Sequence, residues 1–319
     1  MGSIAPDTWL TVLEDKRRLY AEDTYFVETW EEATRLLGDR SACFCDRHTL
    51  LVVKPEALLS GQLPAILHWL HENDWRVVAV RRLTVGRHEV RGLWRYHWNC
   101  VTQQHKDLVD MLFSVSESLL LMLRTSGEKS GAATPRLARG KGPAFPGDRA
   151  PGQLRAMLGN LNSYLTFVHS PDEPADFLRE LGILLPPGER TTLLREDLAE
   201  VPKQRILEVA DECISEADRW CDLSLVGAVA RLAQLCARRG AAGQLARRAV
   251  EAAVHEAAVD RWAGDWRPLR DELAALDPGI AHDFAFIVLA SYLTLTRLPR
   301  EISRIPTLQG RVGHRADSA

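Results

Sequence analysis

The sequence predicts an α/β sandwich followed by an all-α unit, and three observations carry that prediction. Short β-branched and aromatic runs alternate with helical stretches between residues 48 and 186, the pattern of a sheet with helices packed on it. From Thr191 onward no convincing strand pattern occurs, only apolar residues at helical spacing. The chain has 319 residues, which suits two domains of roughly 100–200 residues each.

Taken in order, residues 1–47 read as a helical extension. "TWLTVLEDKRRLYAEDT" and "TWEEATRLLGD" carry apolar residues at helical intervals, and Gly38 closes the second. "TLLVV" (49–53) is the first strand, followed by Lys54-Pro55 and a helix through "QLPAILHWLHEND". "WRVVAVRRL" (75–83) is the second strand, "RHEVRGLWRYHW" and "KDLVDMLF" are helical, and "SLLLML" (118–123) is the third strand. Residues 125–153, rich in Gly, Pro, Arg and Lys, read as a structureless insert with a functional or mobile role. "YLTFV" (164–168) is expected as the fourth strand and "DEPADFLREL" as the helix after it, with one face of the sheet covered. The α/β domain is expected over 48–188, an all-helical domain over 189–308 and a frayed tail over 309–319. Ile206, Val209, Ala210, Cys213, Ala217 and Trp220 make one apolar stripe of the helical part. "IAHDFAFIVLASYLTLT" (280–296) is short for a membrane span and contains His282 and Asp283, so it reads as a buried core helix.

Net charge is −3 and the isoelectric point is near 6.4. No whole-chain attraction to nucleic acid or to an anionic membrane is expected. The six cysteines follow no framework spacing, and the N-terminus carries no secretory signal, which points to reduced thiols in the cytoplasm. Cys43, Cys45 and His48 lack a second ligand pair at zinc spacing and read as ordinary thiols and a ring. Trp262 and Trp266 read as a helix-packing pair.

Three features of the α/β part bear chemistry. Lys54 stands where a strand ends, able to place a point charge on a phosphate, although taken alone such a lysine is more often a surface one. The basic insert offers Arg136, Arg139, Lys141, Arg149 and Arg155 on a Gly-rich backbone, a phosphate-binding composition or simply a basic loop. His169 closes the fourth run, with Glu180 about two turns into the next helix. A carboxylate that takes the proton of one ring nitrogen leaves the other nucleophilic.

In this order, "TLLVVKPEALLSGQLPAILHWLHENDWRVVAVRRL", "KDLVDML", "SLLLML", "APGQLR" and "VHSPDEPADFLREL" resemble the nucleoside diphosphate kinase family over about residues 48–186. The resemblance implies a ferredoxin-like βαββαβ sandwich and a phosphotransferase that moves the γ-phosphoryl of an NTP through a phosphohistidine to a nucleoside diphosphate or another small-molecule acceptor. It places His169 as the phosphorylated residue, Glu180 as its orienting carboxylate, and Lys54, Arg136 and Arg155 on the phosphates. Mg²⁺ would enter on the nucleotide, ATP or another NTP, with no direct protein ligand. A homo-oligomer is implied as well. Thr166 replaces the family's asparagine three residues before the histidine, and Ser170-Pro171 replaces its Gly-Ser. The family's threonine after the first arginine falls near Gly142, its active-site tyrosine falls on His97 beside Tyr96, and His105 takes the base-stacking position. The competing expectation is a silent nucleotide-binding or scaffold module whose helical domain binds a protein.

Overall fold

The computed structural model describes residues 7–98, 101–125, 131–159, 162–195, 197–214, 222–258 and 265–294. The chain opens with α1 (Glu14–Tyr20), α2 (Thr24–Leu37) and α3 (Ser41–Arg47), then enters β1 (His48–Val53). Two helices, α4 (Pro55–Leu59) and α5 (Leu63–Glu72), cross to β2 (Trp75–Leu83). Next come α6 (Arg87–Leu93), α7 (Gln103–Ser114) and β3 (Ser118–Thr125). A second crossover through α8 (Ala133–Lys141) and α9 (Leu154–Met157) reaches β4 (Val168–His169), and α10 (Pro174–Leu184) follows. The strand order is β2-β3-β1-β4, with every neighbouring pair antiparallel. This is the order of the expected ferredoxin-like sandwich.

Both faces of the sheet are covered, not one. Leu50, Val52, Leu120 and Met122 pack with Phe26, Phe44, Phe177 and Leu181 on the first face. Leu51, Val53, Leu119 and Leu121 pack with Ile66, Leu70, Leu137 and Ile206 on the second. The reason is visible in β1 itself, where every residue from His48 to Val53 is buried. A continuous apolar run with no polar alternation needs cover on both sides.

Two further expectations change. The insert is not structureless, because Ala133–Lys141 forms α8, with Ala133 and Leu137 in the core. The fourth strand is shorter than the "YLTFV" run, since only Val168 and His169 pair with β1. Side chains take the backbone groups that a longer strand would need. Lys54 Nζ donates to the Tyr164 carbonyl at 2.9 Å, and the Phe167 N–H donates to Glu56 at 3.0 Å. Phe167 then sits at φ +63°, in the left-handed region that interrupts an extended chain.

After α10 come α11 (Pro187–Leu193) and α12 (Lys203–Glu212), and α12 lies on the second sheet face through Ile206, Val209 and Ala210. The remaining helices are α13 (Leu225–Ala237), α14 (Gly240–Ala258), α15 (Arg267–Leu276), α16 (Pro278–His282) and α17 (Phe284–Leu293). Helix α17 is buried almost throughout, and Asp283 caps its start by accepting from the Ala285 N–H. No helix among the described residues is long and apolar enough to cross a membrane. Trp266 packs edge-on against Phe286 of α17; its expected partner Trp262 lies outside the described residues, as do Cys100, Ala217, Trp220 and Cys221.

Candidate active site

The pairing of His169 with Val52 sets its side chain on the same sheet face as Val52, where α10 lies. Helix α10 starts with Pro174 at its first turn, and Asp176 accepts from the Glu173 N–H at 3.0 Å. From that start Glu180 arrives opposite the histidine, with Oε2 at 2.9 Å from Nε2. A carboxylate only accepts, so Nε2 carries the ring proton and Nδ1 holds the lone pair. Nδ1 makes no hydrogen bond to the described residues, and the side chain keeps 15% of its exposure. Trp94 meets the ring edge-on at 5.3 Å and limits its rotation.

Buried cations gather around the loop that ends at this histidine. Lys54 is 5% exposed and hydrogen-bonds the Tyr164 carbonyl (2.9 Å) and Thr166 Oγ1 (3.2 Å), with Glu56 at 2.7 Å. Burial pulls the Lys54 ammonium below its ordinary value, with Glu56 pulling the other way. Arg155 donates to three carbonyls, those of Thr166 (3.3 Å), Gly142 (2.9 Å) and Val168 (2.6 Å). It forms no ion pair within 4 Å among the described residues, and burial lowers it to about 9. Lys141, which the sequence reading left as one cation of a basic loop, donates to the Ser170 carbonyl at 2.9 Å and is 4% exposed.

The other predicted site residues lie as follows. Thr166 is buried beneath Lys54, its hydroxyl accepting from the ammonium. Arg136 is not in the cluster: its guanidinium stacks 4.1 Å above the Trp75 ring. Trp75 pairs with Thr125, at the sheet end where β1 starts, whereas His169 pairs near the end where β1 exits. Tyr96 is buried and its hydroxyl donates to Asp23 at 2.8 Å, so it faces α2 instead of the histidine. Burial lowers His97, against the raising influence of Asp176 and Asp172. His105 bonds the Tyr164 hydroxyl at 3.1 Å and meets Trp98 edge-on, and burial lowers it to about 4. Trp94, Trp98, His105 and Tyr164 thus form an aromatic row beside His169, of which the sequence marked only His105.

A second buried polar cluster joins the N-terminal helices to α10. Lys16 bridges Glu173 (2.6 Å) and Asp176 (2.7 Å), and Tyr20 donates to Asp176 at 2.6 Å. Asp23 accepts from Arg179 at 2.9 Å, and Arg179 also donates to the Gly92 carbonyl. Beside it, α2 approaches α10 so closely that a Cβ on Gly182 would lie 2.6 Å from the Tyr25 carbonyl.

The antiparallel sandwich thus carries a carboxylate-oriented histidine among buried charged side chains. Residues 47–190 match the sequence profile of the family described as "Nucleoside diphosphate kinase", and this part of the chain is a nucleoside diphosphate kinase-like domain. The chain is 27% identical over 145 residues to a nucleoside diphosphate kinase of Glaesserella parasuis, a match that covers 45% of this chain and 97% of that protein. It is 23% identical over 141 residues to a thioredoxin domain-containing protein 3 homolog of Heliocidaris crassispina, and spans 16% of that protein's length. The solved nucleoside diphosphate kinase of Aquifex aeolicus is 20% identical, with a TM-score of 0.37 over 49% of this chain and 99% of that one.

Proposed function

We propose that this protein is a phosphotransferase of the nucleoside diphosphate kinase type. The observation that carries the reading is the Glu180–His169 pair at 2.9 Å, which leaves Nδ1 as a lone-pair nitrogen beside buried cations. In the first half-reaction Nδ1 attacks the γ-phosphorus of an NTP, an N–P bond forms, and the bond from phosphorus to the bridging oxygen breaks to release NDP. In the second, an acceptor oxygen attacks the phosphohistidine and His169 returns to its starting state. The acceptor is a nucleoside diphosphate or another small molecule. Lys54 and Arg155 offset charge on the phosphoryl oxygens, the main requirement of a loose transition state. Glu180 keeps the proton on Nε2 and stabilises the cationic ring that forms on attack.

Around the His169 loop stand the cations Lys54, Lys141 and Arg155 and the carboxylates Glu56, Asp172, Asp176 and Glu180. Mg²⁺ carried on the nucleotide phosphates would neutralise charge there. Cys43, Cys45, Cys213 and Cys236 are unpaired, which supports a cytoplasmic setting.

Incubation with γ-labelled ATP and Mg²⁺ should give an acid-labile phosphoprotein, and His169→Ala should take up less than about a thousandth of the label. Label retained at wild-type level in His169→Ala would remove the assignment. A second reading, a silent nucleotide-binding or scaffold module, draws on Tyr96, whose hydroxyl is committed to Asp23. Nucleotide binding by folded protein without any phosphoenzyme would favour it.

A further inference from the structure

We propose that Lys141, and not Arg136, is the α8 cation that holds the transferring phosphoryl group alongside Arg155. The inference rests on the phosphotransferase reading and names a residue of that same site. Helix α8 carries Arg136, Arg139 and Lys141. Arg136 is stacked on Trp75 near the far end of the sheet, and Arg139 is exposed. Lys141 is the last residue of the helix, five residues beyond Arg136, which turns it about 140° around the axis. That rotation brings its ammonium under the loop directly after the nucleophile.

The local geometry has the form of a site awaiting an anion. An ammonium has three donors, and Lys141 uses one on the Ser170 carbonyl at 2.9 Å. Asp172 Oδ1, at 4.0 Å, is beyond hydrogen-bond reach. The next residue, Gly142, turns at φ +84° and sends its carbonyl to Arg155 at 2.9 Å, so the two cations are fixed one peptide apart. A Cβ on Gly142 would lie 2.6 Å from Gln153 Oε1, so the turn depends on glycine. The charged groups facing Lys141 are Arg155 from α9, Asp172 from the loop, and Asp176 and Glu180 from α10. Burial first, and Arg155 second, lower the ammonium to about 8. A buried cation at that value gains most from an incoming phosphate, which restores its charge.

The test is the rate of phosphoenzyme formation from subsaturating γ-labelled ATP with Mg²⁺ on the full chain. Lys141→Met should slow labelling about 100-fold, with Arg136→Met within about twofold of wild type and thermal melts confirming that both are folded. The ammonium is lost as pH rises through about 8, so the wild-type rate should fall above that pH. Lys141→Arg should rescue labelling and move the alkaline fall to higher pH, because a guanidinium holds its proton more tightly than an ammonium. A purely structural lysine would not give that change of profile. Wild-type labelling in Lys141→Met, or an alkaline fall unchanged in Lys141→Arg, overturns the proposal. Should the wild type take no label, the phosphotransferase reading fails separately, and ATP affinity by calorimetry decides for Lys141. About tenfold weaker binding in Lys141→Met but not in Arg136→Met supports the cation, and equal affinities overturn it. If Lys141→Met does not fold, Lys141→Gln takes its place under the same criteria.

Discussion

Helix α10 serves two buried polar clusters that obey opposite rules. In the one that joins it to α1 and α2, charges meet opposite charges: Lys16 lies between Glu173 and Asp176, and Arg179 meets Asp23. In the one at His169 only Lys54 among the described cations has a carboxylate in close reach, Glu56, whereas Arg155 leans on three carbonyls and Lys141 on one. Desolvating a charge costs several kcal/mol unless a partner offsets it. A closed cluster therefore serves the fold, whereas Arg155 and Lys141 stand with no carboxylate of the described residues in hydrogen-bond reach, which supports the proposed anion site.

The comparison can be broken in three places. Arg179→Met should cost the most, about 3–5 kcal/mol of stability, because it strands the buried Asp23 carboxylate, and urea unfolding reads it. A loss below about 1 kcal/mol would show that the cluster is not closed. Acid comes next. His48 and His105 are each lowered by burial to about 4, whereas in the unfolded chain they protonate near the ordinary 6.5. The unfolded state binds the extra protons in between, so stability is full above about pH 6.5 and falls as pH drops toward about 4. Each ring contributes about 3 kcal/mol at most, and His105→Phe should flatten part of that loss in urea melts taken from pH 7 to pH 4. The smallest effect is expected from Glu180→Gln. It should slow phosphoenzyme formation about 10- to 100-fold, or about 1.4–2.8 kcal/mol, with little change in the melt. A large drop in stability with unchanged labelling would move Glu180 into the structural cluster.

The legible parts of the fold were those in which local pattern and final environment agree. β1, β2 and β3 stand out because β-branched and leucine runs end at Pro, Gly or charged residues. β4 was overestimated because Lys54 and Glu56, more than 100 positions away, take backbone groups of residues 164–167. Helix α8 was hidden by the glycine and proline around it. At the site, Lys54, Arg155, His169 and Glu180 could be marked from short motifs in order. Arg136 and Lys141 carry the same charge in the same basic stretch, and only the phase of a helix that the sequence concealed tells them apart. The Lys16–Asp176 cluster gave no signal, because its members look like ordinary helix-surface charges until α10 closes over them.

Asn162 ties the two halves of the described chain together. Its carboxamide oxygen accepts from the Tyr164 and Leu165 N–H groups, both at 2.9 Å, while its nitrogen donates to Ser291 of α17 at 2.9 Å. Lys54 in turn holds the Tyr164 carbonyl. The amide is therefore a mechanical linkage, a pin with one end in the helical unit and the other in the turn that seats Lys54. A shift of α17 by an ångström must either break the pin or drag that turn with it, so load applied to the C-terminal helices is transmitted to the residues that lead into His169.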